Sequence, residues 1–216
     1  MSIVRSKNSK ARLIRGTSIT KKETLTEGIA KLFYEKGYEK TSIRDIAKSL
    51  RVPNSALYYY FKSKQEMLFT IIDELMENVM LNLHEHIEPI EDPEKKLLLI
   101  IEDHIRSFVA HRYESKVLIY EDHNLEDEFR RILKEKERRY FNFVSDTLGK
   151  IMRHSHCKIN VNVATFSLFG MLNWIYKWYD PDKAVDPREL STQILKMTLT
   201  GLKGDIPCKA SSKGRN

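Results

Sequence analysis

The sequence predicts an all-α protein of about nine helices. Three observations carry that expectation. Apolar residues recur at three- and four-residue intervals along most of the chain. The periodic stretches are separated by glycine, or by proline beside a capping residue. No stretch shows the apolar–polar alternation of a strand, and there is no internal repeat or low-complexity segment.

The elements follow in order. Residues 1–17 read as a basic, flexible arm. A helical pattern begins after Ser18, with Leu25, Ile29, Leu32 and Phe33 on one face, and Gly37 stops it. Thr41 or Ser42 caps a second helix whose stripe is Ile43, Ile46, Ala47 and Leu50, with Asp45 near its positive end. Val52-Pro53 breaks that helix, because proline disfavours the helical state in the residue before it. Asn54 or Ser55 starts a short third helix through Phe61.

Ser63-Lys64-Gln65-Glu66 reads as a capping box, in which serine and glutamate each satisfy an orphan backbone N–H. A long amphipathic helix follows, carrying Leu68, Ile71, Ile72, Leu75, Val79 and Leu83. Asp92-Pro93 opens a helix that runs to about Arg112, and Val117–Tyr120 forms a shorter apolar stretch. Leu125 to Arg153 is periodic but heavily charged. Asn160 starts a more apolar helix that stops at Asp180-Pro181, and Asp186-Pro187 opens the last, ending near Gly201–Gly204. Residues 204–216 read as a frayed tail. The expected domains are a reader over 18–65 and a body over 66–203, with their border inside the long fourth helix.

Composition narrows the function. An apolar fraction of 41% supports a real core, and no apolar run approaches a membrane span, so no membrane partner is expected. The basic N-terminus lacks a long apolar segment, so no signal peptide is expected. The two cysteines, Cys157 and Cys208, lie far apart, which points to a reducing cytoplasm. Charge is unevenly placed. Residues 1–22 hold seven basic side chains and no acid, and residues 23–64 hold eight basic against five acidic. The tail 204–216 adds a net +2, which leaves residues 65–203 at −5 of the overall +7. A basic arm joined to a basic helix pair is a phosphate-attracting arrangement.

The helix pair within Thr41–Lys64 has the layout of a helix-turn-helix, whose second helix enters the major groove while the first braces the backbone. The early face of the second helix offers Asn54, Ser55, Tyr58 and Tyr59. Asparagine and serine hydrogen-bond base edges, and tyrosine meets a thymine methyl or a phosphate oxygen. Thr41, Ser42 and Arg44 offer hydroxyl, backbone N–H and guanidinium groups to phosphate, and Lys62 and Lys64 flank the recognition helix. Ile43, Ile46, Ala47, Leu57 and Phe61 are assigned to packing.

The stretch LFYEKGYEKTSIRDIAKSLRVPNSALYYYFKSKQEML resembles the N-terminal DNA-binding domain of the TetR family of transcriptional regulators. GY, TS-x-x-D-I-A, V-x-x-x-A-L-Y-x-Y-F and K-x-K stand in order over about residues 20–70. The resemblance implies a cytoplasmic, nucleoid-associated homodimer that binds a palindromic operator and releases it when a small effector enters the C-terminal domain. It places Asn54, Ser55, Tyr58, Tyr59, Tyr60 and Lys64 on DNA-contacting positions, and Thr41, Ser42 and Arg44 on backbone-contacting ones.

The stretch 168–203, with Gly170-Met171-Leu172-Asn173-Trp174 and Trp178-Tyr179-Asp180-Pro181, is similar to the end of a TetR subgroup. That subgroup regulates fatty-acid and sterol degradation and responds to acyl-CoA thioesters. It implies an acyl-CoA effector and no resident cofactor. An acyl chain needs an apolar channel and CoA phosphates need cations at its mouth. Phe108, Tyr113, Tyr120, Phe129, Phe141, Phe166 and Trp174, with Asn173 beside it, are the candidate lining. Arg106, Arg130 and Arg139 are the candidate entrance cations. An alternative effector is a cationic or aromatic small molecule, which the acidic body would attract.

An enzyme is not expected. There is no HExxH, no GxSxG and no phosphate-binding glycine loop. His84-x-His86 and His154-Ser-His156-Cys157 are not joined by a second cluster that would close a four-ligand metal site.

Overall fold

The computed structural model describes residues 5–154, 159–180 and 185–203, with side chains from Lys21 onward, His154 and Lys203 apart. The His154–Cys157 cluster, the tail 204–216 and the basic side chains of the arm lie outside the described residues. Nine α-helices are described: α1 (Arg5–Lys36), α2 (Ile43–Leu50), α3 (Asn54–Tyr60), α4 (Lys64–Asn82), α5 (Pro93–Ala110), α6 (Arg112–Glu121), α7 (Asp127–His154), α8 (Val161–Trp178) and α9 (Pro187–Lys203). A π-helical turn follows α4 at Leu83–Ile87, and a 3-10 turn at Asp122–Asn124 joins α6 to α7. No described residue is in a strand.

Most expected helix starts are where local chemistry placed them. Ser42 closes a complete capping box with Asp45: its hydroxyl accepts from the Asp45 N–H, and its own N–H donates to the Asp45 carboxylate at 2.9 Å. Asp92 and Asp186 each cap ahead of a first-turn proline, and Asn160 accepts from the N–H groups of Asn162 and Val163.

Two details differ from the sequence reading. Helix α1 begins at Arg5, so the backbone of the expected flexible arm is helical from there; no proline interrupts it. Helix α3 starts at Asn54, as expected, behind Pro53, which makes no side-chain cap bond. At α4, Ser63 accepts from the Glu66 N–H, but the Glu66 carboxylate takes the N–H of Lys62 and not that of the cap itself.

Packing sorts the chain into two compact units. One compact unit comprises residues 1–85 and 106–140; the other comprises 86–105 and 141–216. In the first, α4 and α6 share a single core with the reader. Ile29, Phe33, Ile46, Leu57 and Phe61 lie in the same buried cluster as Met67, Leu68, Ile71, Ile72, Val117, Leu125 and Leu133. The stripe of α4 therefore faces the reader's own helices. Phe69 stacks on Phe129 at 4.4 Å, and Lys136 bridges Asp73 and Glu77, both at 2.5 Å, so α4 is also seamed to the start of α7.

The second unit buries Leu97, Ile100, Ile101 and Ile105 of α5, Val144, Leu148 and Ile151 of α7, and Leu168, Leu172 and Ile175 of α8. Arg188 of α9 reaches Glu102 of α5 at 3.8 Å. The ring of His104 faces Phe169 at 6.3 Å and its imidazole is hydrogen-bonded to Asn173. Desolvation by the packing around it pushes His104 down to about 4, against an opposing pull from Asn173.

Two outcomes follow. Gly37 has φ +84°, a conformation that a side chain strains, although a Cβ there would meet only Glu121 Oε1 at 3.7 Å. Gly37→Ala should cost about 1–2 kcal/mol in chemical denaturation. His104 has a folded pKa of about 4 against an ordinary 6.5, so the unfolded chain takes the proton first. Its contribution should therefore fall as pH drops from 6.5 towards 4 and level off below, by at most about 3 kcal/mol. Subtracting the stability–pH curve of His104→Gln from that of the wild type isolates this slope; superimposable curves would contradict it.

Candidate nucleic-acid interface

The reader's outward face is assembled from α2, the turn after it, and α3. Helix α3 spans only seven residues and is anchored by Leu57 and Phe61, at 0% and 1% exposure. That anchoring turns Asn54, Ser55, Tyr58 and Tyr59 outward, Tyr58 at 52% and Tyr59 at 76% exposure. Two large aromatic rings left so open on a short helix serve no core, and they sit beside the hydrogen-bonding Asn54 and Ser55. Tyr60 is turned back: it is half-buried, packs on the core and meets Tyr59 edge-on at 4.8 Å. Of the three tyrosines, two belong to the outer face and one is shared with the core.

The phosphate-facing candidates separate in the same way. Arg44 and Lys62 are exposed, as are Lys48 and Arg51. Ser42 is exposed, but its hydroxyl and its N–H are both engaged by Asp45. Those bonds hold the Asp45 carboxyl below the usual carboxylate range, helped by Lys36 and Lys48. The N–H groups that a helix leaves open at its start are then those of Ile43 and Arg44.

Thr41 is turned inward. It is fully buried, its hydroxyl donates to the Gly37 carbonyl at 2.7 Å and its N–H donates to the Tyr38 carbonyl at 3.1 Å. It braces the turn between α1 and α2 and presents no group to phosphate. Lys64 is redirected too. Its ammonium lies 4.0 Å from the centroid of the Tyr38 ring, and desolvation lowers its pKa against the pull of Glu39 and Glu121.

Sequence reasoning passed over Arg51. It takes the left-handed conformation at φ 55° in the turn between the helices, where its N–H closes α2 onto Ala47 and Lys48. The available signal was the absence of glycine: a tight turn before Pro53 needs a left-handed residue, and Arg51 is the one that supplies it.

The candidate effector residues fall into both units. In the first, Phe129 is committed to its stack with Phe69, and Tyr113 packs on the shared core against Tyr34 at 5.4 Å. Phe108 is buried, while Tyr120 is exposed. The Arg130 guanidinium bonds Asp127 and the carbonyls of His123 and Leu125, bracing the corner before α7. Arg106 and Arg139 are exposed. In the second unit, Phe141 meets Phe166 at 4.7 Å and Phe169 at 6.1 Å, and Asn173 partners His104. Phe169 and His104 were not among the expected lining. Trp174 and Phe166 are mostly exposed, at 58% and 66%. Among the described residues no group of three His, Cys, Asp or Glu side chains is placed to hold a metal, and no helix is long and apolar enough to cross a membrane.

Comparison with known proteins agrees with this geometry. Residues 25–71 match the family of bacterial regulatory proteins of the tetR type, and residues 91–202 match the tetracyclin repressor-like C-terminal domain. The chain is 23% identical over 181 residues to the fatty acid metabolism regulator protein of Bacillus subtilis (strain 168), covering 82% of this chain and 93% of that one. Among solved structures, the TetR family regulator PfmR from Thermus thermophilus superposes with a TM-score of 0.73 at 27% identity, over 81% of this chain and 96% of PfmR. AibR, solved with isovaleryl coenzyme A and operator DNA, shares the fold at a TM-score of 0.71 and 24% identity, over 81% and 96% of the two chains. With an exposed, tyrosine-bearing recognition helix and a family match over more than half its length, the chain belongs to the TetR family of DNA-binding transcriptional regulators.

Proposed function

We propose that this protein is a homodimeric repressor which holds a palindromic operator and releases it on binding a fatty acyl-CoA, so controlling lipid-degradation genes. The observation that carries the DNA half is the outward face of α3 with its flanking Arg44, Arg51 and Lys62. Asn54, Ser55, Tyr58 and Tyr59 read the groove in this scheme; Arg44, Arg51 and Lys62 neutralise phosphates. The protein acts by binding, with no catalytic step and no resident cofactor.

Dimerisation is supported by an apolar stripe left open along α8. Val163, Phe166, Trp174 and Trp178 are all more than half exposed, with Met197 of α9 at 62%. A Cβ at Gly170 or Gly201 would meet nothing within 4 Å. A run of exposed aromatics of this kind suits a second copy related by a two-fold axis. Two readers then engage successive major grooves about 34 Å apart.

The acyl-CoA half is supported by the motif similarity of residues 168–203 and by the relatives. One is a fatty acid regulator and another was solved with an acyl-CoA. Phe141, Phe166 and Phe169 offer apolar surface within one unit, and the His104–Asn173 pair supplies a neutral hydrogen-bonding group beside it. A ligand releases DNA only to the extent that it binds the non-operator conformation more tightly. The acidic 65–203 segment favours a second reading, a cationic aromatic effector.

Two measurements test this. In duplex titrations across salt, Tyr58→Ala and Asn54→Ala should weaken operator binding by about 1–3 kcal/mol and random-sequence binding far less. Arg44→Ala should weaken both and lower the salt slope by about one. Arg51→Gly should relieve the left-handed backbone, leaving stability equal or higher, yet still weaken binding to both duplexes. Equal losses for every variant on both duplexes would reject the division of roles. In the second measurement, acyl-CoAs from butanoyl to stearoyl are added to the operator complex. Release by some chain lengths is the expected result; release only by cationic dyes would favour the second reading.

A further inference from the structure

The first compact unit contains a ring of polar residues that joins the reader to the corner between α6 and α7. Gln65, in the first turn of α4, donates its amide to the carbonyl of Asn124 at 2.7 Å and accepts from the N–H of Glu126 at 3.1 Å. The side chain of Asn124 donates to Glu121 Oε2 at 2.8 Å. The other oxygen of Glu121 accepts from the backbone N–H of Tyr38 at 3.2 Å. The phenol of Tyr38 lies beside Gln65, which opposes the rise in its pKa that burial and Glu126 impose. Lys64 lies over the Tyr38 ring from the outside.

Each bond in this ring answers a local need. The carbonyl of Asn124 and the N–H of Glu126 flank the junction of the 3-10 turn and α7, where helix ends leave backbone groups unpaired. A glutamine amide carries both donor and acceptor groups, so it satisfies both and is fixed in two directions at once. The N–H of Tyr38 follows left-handed Gly37, outside any helix, and a carboxylate is a strong acceptor for it. All of these contacts except the Glu126 bond are partly buried, where such bonds are less screened than at the surface.

The positions of the ring members set its effect. Tyr38 sits just past the end of α1, in the turn that leads to α2. Gln65 sits one turn after α3. The ring therefore grips the helix-turn-helix on both sides, immediately before and after the two helices that face DNA. Hydrophobic packing under Leu57 and Phe61 holds those helices together but is non-directional; it tolerates a small rotation of the pair as a body. Directional bonds at both ends do not.

We infer that the ring of Tyr38, Gln65, Glu121 and Asn124 is a positioning device that sets the reader's angle on the α6–α7 corner, and thereby the operator half-site spacing the protein accepts. Its members touch no base. They act through Asn54, Ser55, Tyr58 and Tyr59, whose placement relative to a second reader depends on that angle. The inference rests on the dimeric operator-binding reading.

The test uses the full-length protein and an operator obtained by selection from random duplex, remade with its half-sites one base pair closer and one base pair farther apart. Binding to these three duplexes and to a single half-site is measured for the wild type, Gln65→Met, Glu121→Met and Glu121→Gln, each with its thermal midpoint. The wild type should prefer its selected spacing by tenfold or more. Gln65→Met and Glu121→Met should reduce that preference to about threefold or less while half-site affinity stays within about twofold. Glu121→Gln, which keeps an acceptor for the Tyr38 N–H, should retain more of the preference than Glu121→Met. Unchanged spacing preference in both methionine variants would overturn the inference, as would a loss of affinity equal on all four duplexes that tracks a fallen thermal midpoint. A wild type with no spacing preference would instead overturn the dimeric reading, and the inference with it.

Discussion

A seven-residue helix is too short to persist in water, because the cost of nucleating a helix is recovered only over several turns. Helix α3 exists because Leu57 and Phe61 are sealed into a core that α1, α2, α4 and α6 all supply. Everything exposed on the reader depends on that burial. The same packing that pulls Leu57 and Phe61 inward leaves Tyr58 and Tyr59, turned away around the short helix, outward. The recognition surface is thus the complement of a packing constraint.

The shared core runs on past the start of α4. The buried stripe of α4, from Met67 to Met76, is continuous with the reader's interior, and Val117, Leu125 and Leu133 close it. Lys136 with Asp73 and Glu77, and Phe129 on Phe69, extend the seam along α4. A regulator built this way has no flexible joint between the helices that read DNA and α6. The α6–α7 corner meets the reader directly, through packed side chains and directional bonds.

Polar side chains near the reader are divided between outward and inward tasks, and charge alone does not separate them. Arg44, Arg51 and Lys62 face solvent. Thr41, Lys64 and Arg130 have the chemistry to meet a phosphate, yet each is engaged by the protein itself: by a carbonyl of the α1–α2 turn, by an aromatic face, and by two carbonyls with an aspartate. An open backbone group at a helix end or turn competes for the same donors that a phosphate would.

What the sequence determined by itself was local. Helix positions, the Ser42–Asp45 box, the Asp-Pro starts of α5 and α9, the glycine stop at Gly37 and the outward Asn54, Ser55, Tyr58 and Tyr59 depend on residues within about two turns of one another, and periodicity and caps reveal them. The TetR-type reader was legible for the same reason. Only the tertiary structure decided which of the candidate contacts were already spent. Tyr38 meets Glu121 across 83 positions and Gln65 meets Asn124 across 59, separations at which no spacing rule operates. The burial of Thr41, the stack that takes Phe129 and the pairing of His104 with Asn173 belong to that second class. Each is fixed by which helix faces come together, a choice made by the whole core and not by the residues that surround it in the chain.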